Sequence, residues 1–197
     1  GQLTLMLWQF ISAGCGIAIA AAVFMAMKEK TSDTLGNFYS FFVRSCTRIL
    51  LPLSFVVAVI LAFNGTPMTF EGKDTITTLQ GDTVQVRRGP VAAFVAIKQL
   101  GTNGGGFYGP NSSHPLENPN YITNIAETIS IILIPMAMIF ALGYVLKRKK
   151  LAWVIFSVMT VGFFLLLIPS VISEMKGNPA IAKMGIAQNM GSMEGKE

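Results

Sequence analysis

The stretch of this 197-residue chain most able to do chemistry is Gly101-Thr102-Asn103-Gly104-Gly105-Gly106-Phe107, followed by a polar, proline-rich run from Gly109 to Pro119. Glycines let successive carbonyls face one direction without side-chain obstruction. Just before them, Val91 to Leu100 is apolar apart from Lys98 and Gln99 and reads as a helix, with Gly89-Pro90 suited to its first turn. The negative end of that helix's dipole would face the glycines. Both features favour a dehydrated monovalent cation, as in filters built from rings of carbonyls. A phosphate cradle is the competing reading. It needs Gly-Lys-Ser/Thr at the end of the loop and a helix N-terminus behind it, whereas here the helix precedes the glycines and its dipole has the wrong sign. Three glycines alone would suggest a hinge; the helix before them and the apolar segments around them turn the preference to a filter.

The remaining candidates are weaker. His114 and Glu117 fall in the polar exit, where lining a mouth or attracting cations competes with the preferred reading of a solvated loop pair. Glu127, one turn into the next apolar segment, is expected there for structural reasons, since a carboxylate near a helix N-terminus is favourable. Cys15 and Cys46 lie far from any second Cys or His at metal-ligand spacing and are expected to be free thiols within the membrane. The 11 Met and 14 Phe fall mostly in apolar segments, where packing accounts for them. No nucleophile, base and orienting group assemble into a catalytic set.

What must position the loop is a membrane. Of the residues, 52% are apolar and 13% charged, about half the charge usual in soluble domains. The apolar residues come in blocks: Leu3 to Met27 runs 25 residues without a charge, Thr128 to Leu146 runs 19 and Leu151 to Ser173 runs 23. Each is near or above the roughly 18 to 20 residues that cross a bilayer as a helix. The first has no basic segment before it and exceeds a signal-peptide core, so it reads as a spanning helix. A fourth span is expected from Ser40 to Phe63, with Arg44 and Arg48 snorkelling. Pro90 to Leu100, at 1.5 Å per residue, reaches roughly 16 Å, about half a hydrocarbon core. Such a helix, ending at glycines and returning on the side it entered, is re-entrant, and irregular backbone at membrane depth is tolerated only where it is buried in protein or lines a water-filled path.

Charge sets the expected orientation. Lys28 to Arg48 and Lys147 to Lys150 together hold 8 Lys/Arg in 25 residues, while 64–124 and 174–197 hold 7 in 85. The positive-inside rule puts both short basic connections in the cytoplasm and both ends of the chain outside. The net charge of +5 is thereby explained by topology, with no sign of a nucleic-acid surface. In the long outer connection, Thr75 to Leu79 and Thr83 to Arg87, separated by Gln80-Gly81-Asp82, predict a small β-hairpin. No internal repeat at solenoid periods is visible.

Gly101 to Phe107, with Asn111-Ser-Ser-His-Pro-Leu-Glu-Asn-Pro119, closely resembles the second filter region of the potassium-translocating subunit of the bacterial Kdp-type ATPase. Further landmarks in family order are Ser32-Asp-Thr-Leu-Gly-Asn37, Gly89-Pro-Val91 with Ala96-Ile-Lys98, Gly177-Asn-Pro179 and Met193-Glu-Gly-Lys-Glu197, so the resemblance covers essentially the whole chain. It departs at Phe107-Tyr108-Gly109-Pro110, where the family pattern has a second Phe and then Asn-Ala. Members of this family are similar to potassium channels and the Trk and Ktr transporters, with four helix, pore loop, helix repeats around one filter.

The fold class the resemblance implies is an all-α membrane protein of the potassium channel and transporter superfamily, with a small extracellular hairpin. Residues 1–27 would close a preceding repeat and 40–146 would be one complete repeat, with hairpin 68–88, pore helix 90–100 and filter 101–107. Residues 151–173 would open the next repeat and 174–197 would be extracellular. The chain opens on Gly1 without an initiator Met and is expected to be about a third of a whole family protein. Thr102, Asn103, Gly104, Gly105 and Gly106 would give one quadrant of a potassium site, mainly through backbone oxygens. The resemblance also implies a bacterial inner-membrane location. As partners it implies a P-type ATPase catalytic subunit, where ATP is hydrolysed, together with small accessory membrane subunits. The alternatives are a passive Trk- or Ktr-like channel or symporter component, and a non-conducting membrane scaffold.

Overall fold

A computed structural model describes residues 1–29, 31, 34, 36–77, 81–177 and 183. Ser32 and Asp33, Asn178 and Pro179, and all of 193–197 lie outside them, so parts of three sequence landmarks, and the segment 174–197 beyond Gly177 save Lys183, are not described. Among the described residues, four helices are long and apolar enough to cross a membrane: α1 (Gln2–Lys28), α2 (Phe38–Phe63), α4 (Tyr121–Val145) and α5 (Lys149–Lys176). Between α2 and α4 lie strands β1 (Lys73–Thr77) and β2 (Thr83–Arg87) and the ten-residue helix α3 (Val91–Leu100).

The chain clusters into two compact units, 1–138 and 139–197. In the first, α1 and α2 meet where Gly14 faces Cys46: a Cβ on Gly14 would strike the Cys46 thiol and lie 3.1 Å from the Phe42 ring. A small residue at such a contact is what lets membrane helices approach closely. Cys15 and Cys46 are both free thiols, as the sequence suggests. Helix α2 widens to a π-helical turn over Cys46–Leu50, where the Leu51 N–H reaches back to the Cys46 carbonyl. Pro52 follows at once. A proline ring clashes with the carbonyl four residues earlier, and the wider turn makes room for it. The helix begins at Phe38, two residues before the expected Ser40, because Asn37 caps it by accepting the Ser40 N–H at 3.1 Å.

Helix α4 begins seven residues before the uncharged run Thr128 to Leu146. Asn120 is its cap, its Oδ1 accepting the N–H groups of Ile122 at 2.9 Å and Thr123 at 3.0 Å. Its amide also donates to the Asn64 carbonyl at the end of α2 at 2.9 Å. Sequence places Glu127 one turn into this helix, and the structure starts the helix earlier still, at Tyr121, with the Glu127 side chain turned inward and buried.

Strand β1 also begins earlier than expected, at Lys73, and pairs antiparallel with β2 in the register Lys73 with Arg87 through Thr77 with Thr83. Thr78, Leu79 and Gln80, assigned to the first strand and the turn by sequence, lie outside the described residues. An Arg88–Asp74 ion pair closes the base of the ribbon.

The short helix α3 is the most enclosed element. Eight of its ten residues are buried: Val91, Ala92, Phe94, Val95, Ala96, Lys98, Gln99 and Leu100. Val91, Ala92, Val95 and Ala96 pack on Leu61 of α2, with Phe107 and Tyr108 beside them. Leu100 packs with Leu50 and Ile134, bordered by Phe10, Ala13 and Ile17 of α1. The long helices invert this pattern, with only 6–22% of their apolar windows buried. In water such exposure would be costly; in a bilayer it is the expected surface.

In the second unit, Phe140, Trp153 and Phe156 form an aromatic cluster with centroids 5.2–5.9 Å apart. The turn from α4 into α5 closes through Lys147 at φ +55°, with the Arg148 N–H on the Gly143 carbonyl at 2.9 Å. Gly143 is required there, since a Cβ on it would lie 2.5 Å from that of Ala152.

Candidate functional site

Helix α3 stops because Gly101 and Thr102 close it. The Thr102 N–H returns to the Gln99 carbonyl and the Asn103 N–H to the Lys98 carbonyl, both at 3.2 Å, which is the paired bonding of a Schellman turn. That turn needs a left-handed residue, and Thr102 supplies it at φ +54°. A β-branched residue there is unusual and strained, since glycine would ordinarily take the position. Gly104 is left-handed too, at φ +82°, whereas Gly101, Asn103, Gly105 and Gly106 are not. The backbone therefore alternates in hand from Thr102 to Gly105. Alternation of this kind lets consecutive carbonyls point to one side.

The loop is gripped from α1. Asn103 donates from its amide to the Gln9 carbonyl at 3.2 Å and accepts from the Ser12 hydroxyl at 2.9 Å. Gln9 donates its own amide to the Gly105 carbonyl at 3.1 Å, and Gln2 reaches the Phe107 carbonyl at 3.0 Å. The Gly104 carbonyl accepts the Asn111 N–H at 2.9 Å. Each of these carbonyls keeps a second lone pair. An open groove of about 460 Å³ runs beside this contact, lined by Leu5, Trp8, Gln9, Ser12, Asn103 and Gly105.

Behind the loop lies a buried polar cluster that corrects the reading of Glu117 as part of a solvated pair. Its side chain is wholly buried and forms an ion pair with Lys98 at 3.0 Å, itself wholly buried. Glu117 also accepts the Tyr108 N–H at 2.7 Å and the Ser112 hydroxyl at 2.8 Å, while Lys98 donates to Ser112. Gln99 extends the network to Glu127 at 2.6 Å. The physical reason is pairing: the Lys98 ammonium, the Ser112 hydroxyl and the Tyr108 N–H satisfy the carboxylate away from water, and Gly106 leaves it room, since a Cβ there would lie 2.8 and 2.9 Å from its two oxygens. His114 is half-buried and stacks on the Tyr108 ring at 4.4 Å, and so also packs rather than standing free in a mouth. Tyr108 in turn donates its hydroxyl to the Arg87 carbonyl at 2.6 Å, tying the hairpin to the loop. That hydroxyl's pKa is raised, by burial first and then by the Glu117 charge.

All five residues singled out by sequence, Thr102 through Gly106, thus lie in one loop at the carboxyl end of the buried helix, with the Thr102 side chain exposed and Gly104 open on its outer side. Sequence reasoning missed the residues that hold them, Gln9 and Ser12 on α1 and the Lys98–Glu117 pair behind; Glu127, read as structural, bonds Gln99 rather than the loop. One signal was visible. A Lys-Gln pair inside a short apolar helix must find partners if that helix is buried. Residues 101–107 include no His, Cys, Asp or Glu, so backbone and neutral side-chain oxygens are the donors the loop itself offers.

The model of the family described as "Potassium-transporting ATPase A subunit" matches residues 2–197. Over 196 residues the chain is 69% identical to the potassium-transporting ATPase potassium-binding subunit of Flavobacterium psychrophilum, covering 100% of this chain and 34% of that relative. It is 56% identical over 193 residues to the same subunit of Bacteroides thetaiotaomicron, covering 98% and 34%. With the subunit of Geobacillus kaustophilus the identity is 45% over 196 residues, covering 100% and 35%. The chain spans about a third of the length of these curated relatives. The resemblance read from the glycine loop and its polar exit therefore holds over nearly every residue, and the chain belongs to the potassium-binding subunit family of the potassium-transporting ATPases.

Proposed function

We propose that this chain supplies one quadrant of the selectivity filter of an ATP-driven potassium uptake pump, with Thr102, Asn103, Gly104, Gly105 and Gly106 offering backbone oxygens in place of potassium's hydration shell. The observation that carries this is the loop itself: backbone of alternating hand, at the negative end of a short helix that is buried among span-length helices. Residues 40–146 form one helix, pore loop, helix repeat in this reading, with α3 and the loop re-entrant. Residues 1–27 close the preceding repeat, 151–173 open the next and 174–197 lie outside the cell. The relatives' printed names, potassium-binding subunits of a potassium-transporting ATPase, support potassium as cargo and a separate hydrolytic partner. The chain selects and conducts; a P-type ATPase subunit, with small accessory membrane subunits, hydrolyses ATP. The complex sits in the bacterial inner membrane with the basic connections cytoplasmic.

The test is Gly104→Asp or Gly105→Asp in the full-length protein within the assembled pump. A carboxylate there, unlike the bare Cβ of an alanine, sets a fixed negative charge against the carbonyls and competes with them for the ion, so the ATPase should lose its preference for potassium over other monovalent cations while expression survives. Unchanged potassium preference in both variants would refute the assignment and favour a scaffold.

A further inference from the structure

The buried cluster behind the loop is more than a way of satisfying polar groups. Lys98 belongs to the last turn of α3, and its carbonyl already accepts the Asn103 N–H at 3.2 Å, where the loop begins. Its ammonium meets Glu117 at 3.0 Å, and the same carboxylate accepts the Tyr108 N–H at 2.7 Å, where the loop ends. One wholly buried carboxylate therefore joins the start of the loop to its finish, and its two oxygens stand where a Cβ on Gly106, in between, would lie 2.8 and 2.9 Å from them. We propose that the Lys98–Glu117 pair is a tether that fixes the span of the loop, making Glu117 a positioning residue for ion choice.

Three physical points favour the tether. A ring of carbonyls can discriminate ions of different size only if the backbone that carries it is held, and glycine-rich backbone is the least able to hold itself. A buried ion pair is a poor source of net stability, because apolar residues of similar volume commonly serve the fold as well, so its geometry is the better account of its presence. A lone carboxylate beside a cation path would also trap the ion, whereas conduction needs binding weak enough to release it. Lys98 cancels that charge and leaves the carboxylate free to hold backbone. The groups facing the pair from neighbouring elements are Ser112, which bonds both members, Gln99, which reaches Ser112 at 3.3 Å, and Thr66, which donates to the Glu117 carbonyl at 3.2 Å. These add no further charge. Glu127 lies one step away, on Gln99.

The proposal rests on the filter reading, and the experiment separates the two. The double variant Lys98→Met with Glu117→Gln, in the full-length protein within the assembled pump, removes both charges, while the new amide keeps an acceptor for the Tyr108 N–H. Potassium-dependent ATPase activity, competition by rubidium and sodium, and thermal melting are measured beside Gly105→Asp. A tether predicts wild-type assembly and melting, a KM for potassium raised about tenfold with maximal rate nearly unchanged, and weaker discrimination against rubidium. A wild-type KM and ion order in the double variant, with Gly105→Asp altered, would overturn the tether and leave the filter standing. Unaltered ion preference in both would overturn the filter reading itself. A double variant that fails to assemble would show that the pair serves the fold, and would overturn the tether equally.

Discussion

Replacing each loop glycine in turn with alanine should give a ranking that follows from local geometry. At Gly106 an added Cβ would strike the Gly109 carbonyl and lie 2.8 and 2.9 Å from the Glu117 carboxylate, so backbone or the buried pair must move. Overpacking of this kind costs about 1–3 kcal/mol; if about 2 kcal/mol is lost from ion binding, the KM for potassium rises roughly 30-fold. At Gly104 space is open, the nearest atom being Asn111 Oδ1 at 3.8 Å, but φ is +82°. The left-handed conformation costs an L-residue roughly 1–2 kcal/mol, felt mainly as stability because the loop can keep its path, so the KM should rise by no more than about fivefold. At Gly105 the only close neighbour among the described residues is the Gln9 amide nitrogen at 3.2 Å, the end of a side chain that can retreat by a few tenths of an ångström. There the KM should change by about threefold or less, roughly 0.6 kcal/mol at most. The assay is potassium-dependent ATPase activity of the assembled pump carrying each full-length variant. If Gly105→Ala proves as damaging as Gly106→Ala, these contacts do not govern the loop, and the argument from close approach fails.

Two further outcomes are expected. Gln9→Leu removes the only side-chain donor to the Gly105 carbonyl among the described residues and should raise the KM for potassium by roughly 3- to 10-fold with little change in melting temperature, since a single hydrogen bond is worth about 1 kcal/mol; an unchanged KM would show that α1 merely packs against the loop. In full-length protein lacking Cys15 and Cys46, a cysteine introduced at Lys149 should be protected from an impermeant thiol reagent in intact cells while one at Asp82 reacts, and the reverse pattern would overturn the topology drawn from the basic connections.

The elements were legible wherever one physical term dominated. Long uncharged runs gave α1 and α5 to within a few residues and located α4, while α2 was read through Arg44 and Arg48, because spanning a bilayer demands length and tolerates charges that can snorkel. The half-helix Val91–Leu100 was legible for the same reason, as an apolar stretch too short to cross. The starts of α2 and α4 were not, because they are fixed by Asn37 and Asn120 capping backbone N–H groups, and a cap can lie several residues outside an apolar run. The misreading of Glu117 has a different origin. In Asn111 to Pro119 the proline and small polar residues read as a solvated loop, and nothing local reveals that the ammonium to pair with Glu117 lies 19 residues earlier, on a buried helix. The glycines gave the position of the site, but which glycine is crowded depends on what the fold brings against it, and periodicity carries no such information.

The two sets of contacts on the loop come from different places in the chain, and this bears on how a filter of the proposed kind can be built. The tether behind it, Lys98 to Glu117, lies wholly within 40–146 and would travel with an isolated repeat. The grip in front does not. Gln9 and Ser12 stand on α1, which in the proposed division closes the preceding repeat, and they hold Asn103 and Gly105 at 2.9–3.2 Å. In that division this loop is braced from behind by its own repeat and from the front by the closing helix of the repeat before it. Fusing the repeats in one chain keeps that neighbour at high effective concentration, a condition that separate chains meet only through assembly. On this argument the order of repeats is part of the filter's construction, and a loop detached from its preceding helix keeps its tether while losing the bonds that aim the Gly105 carbonyl.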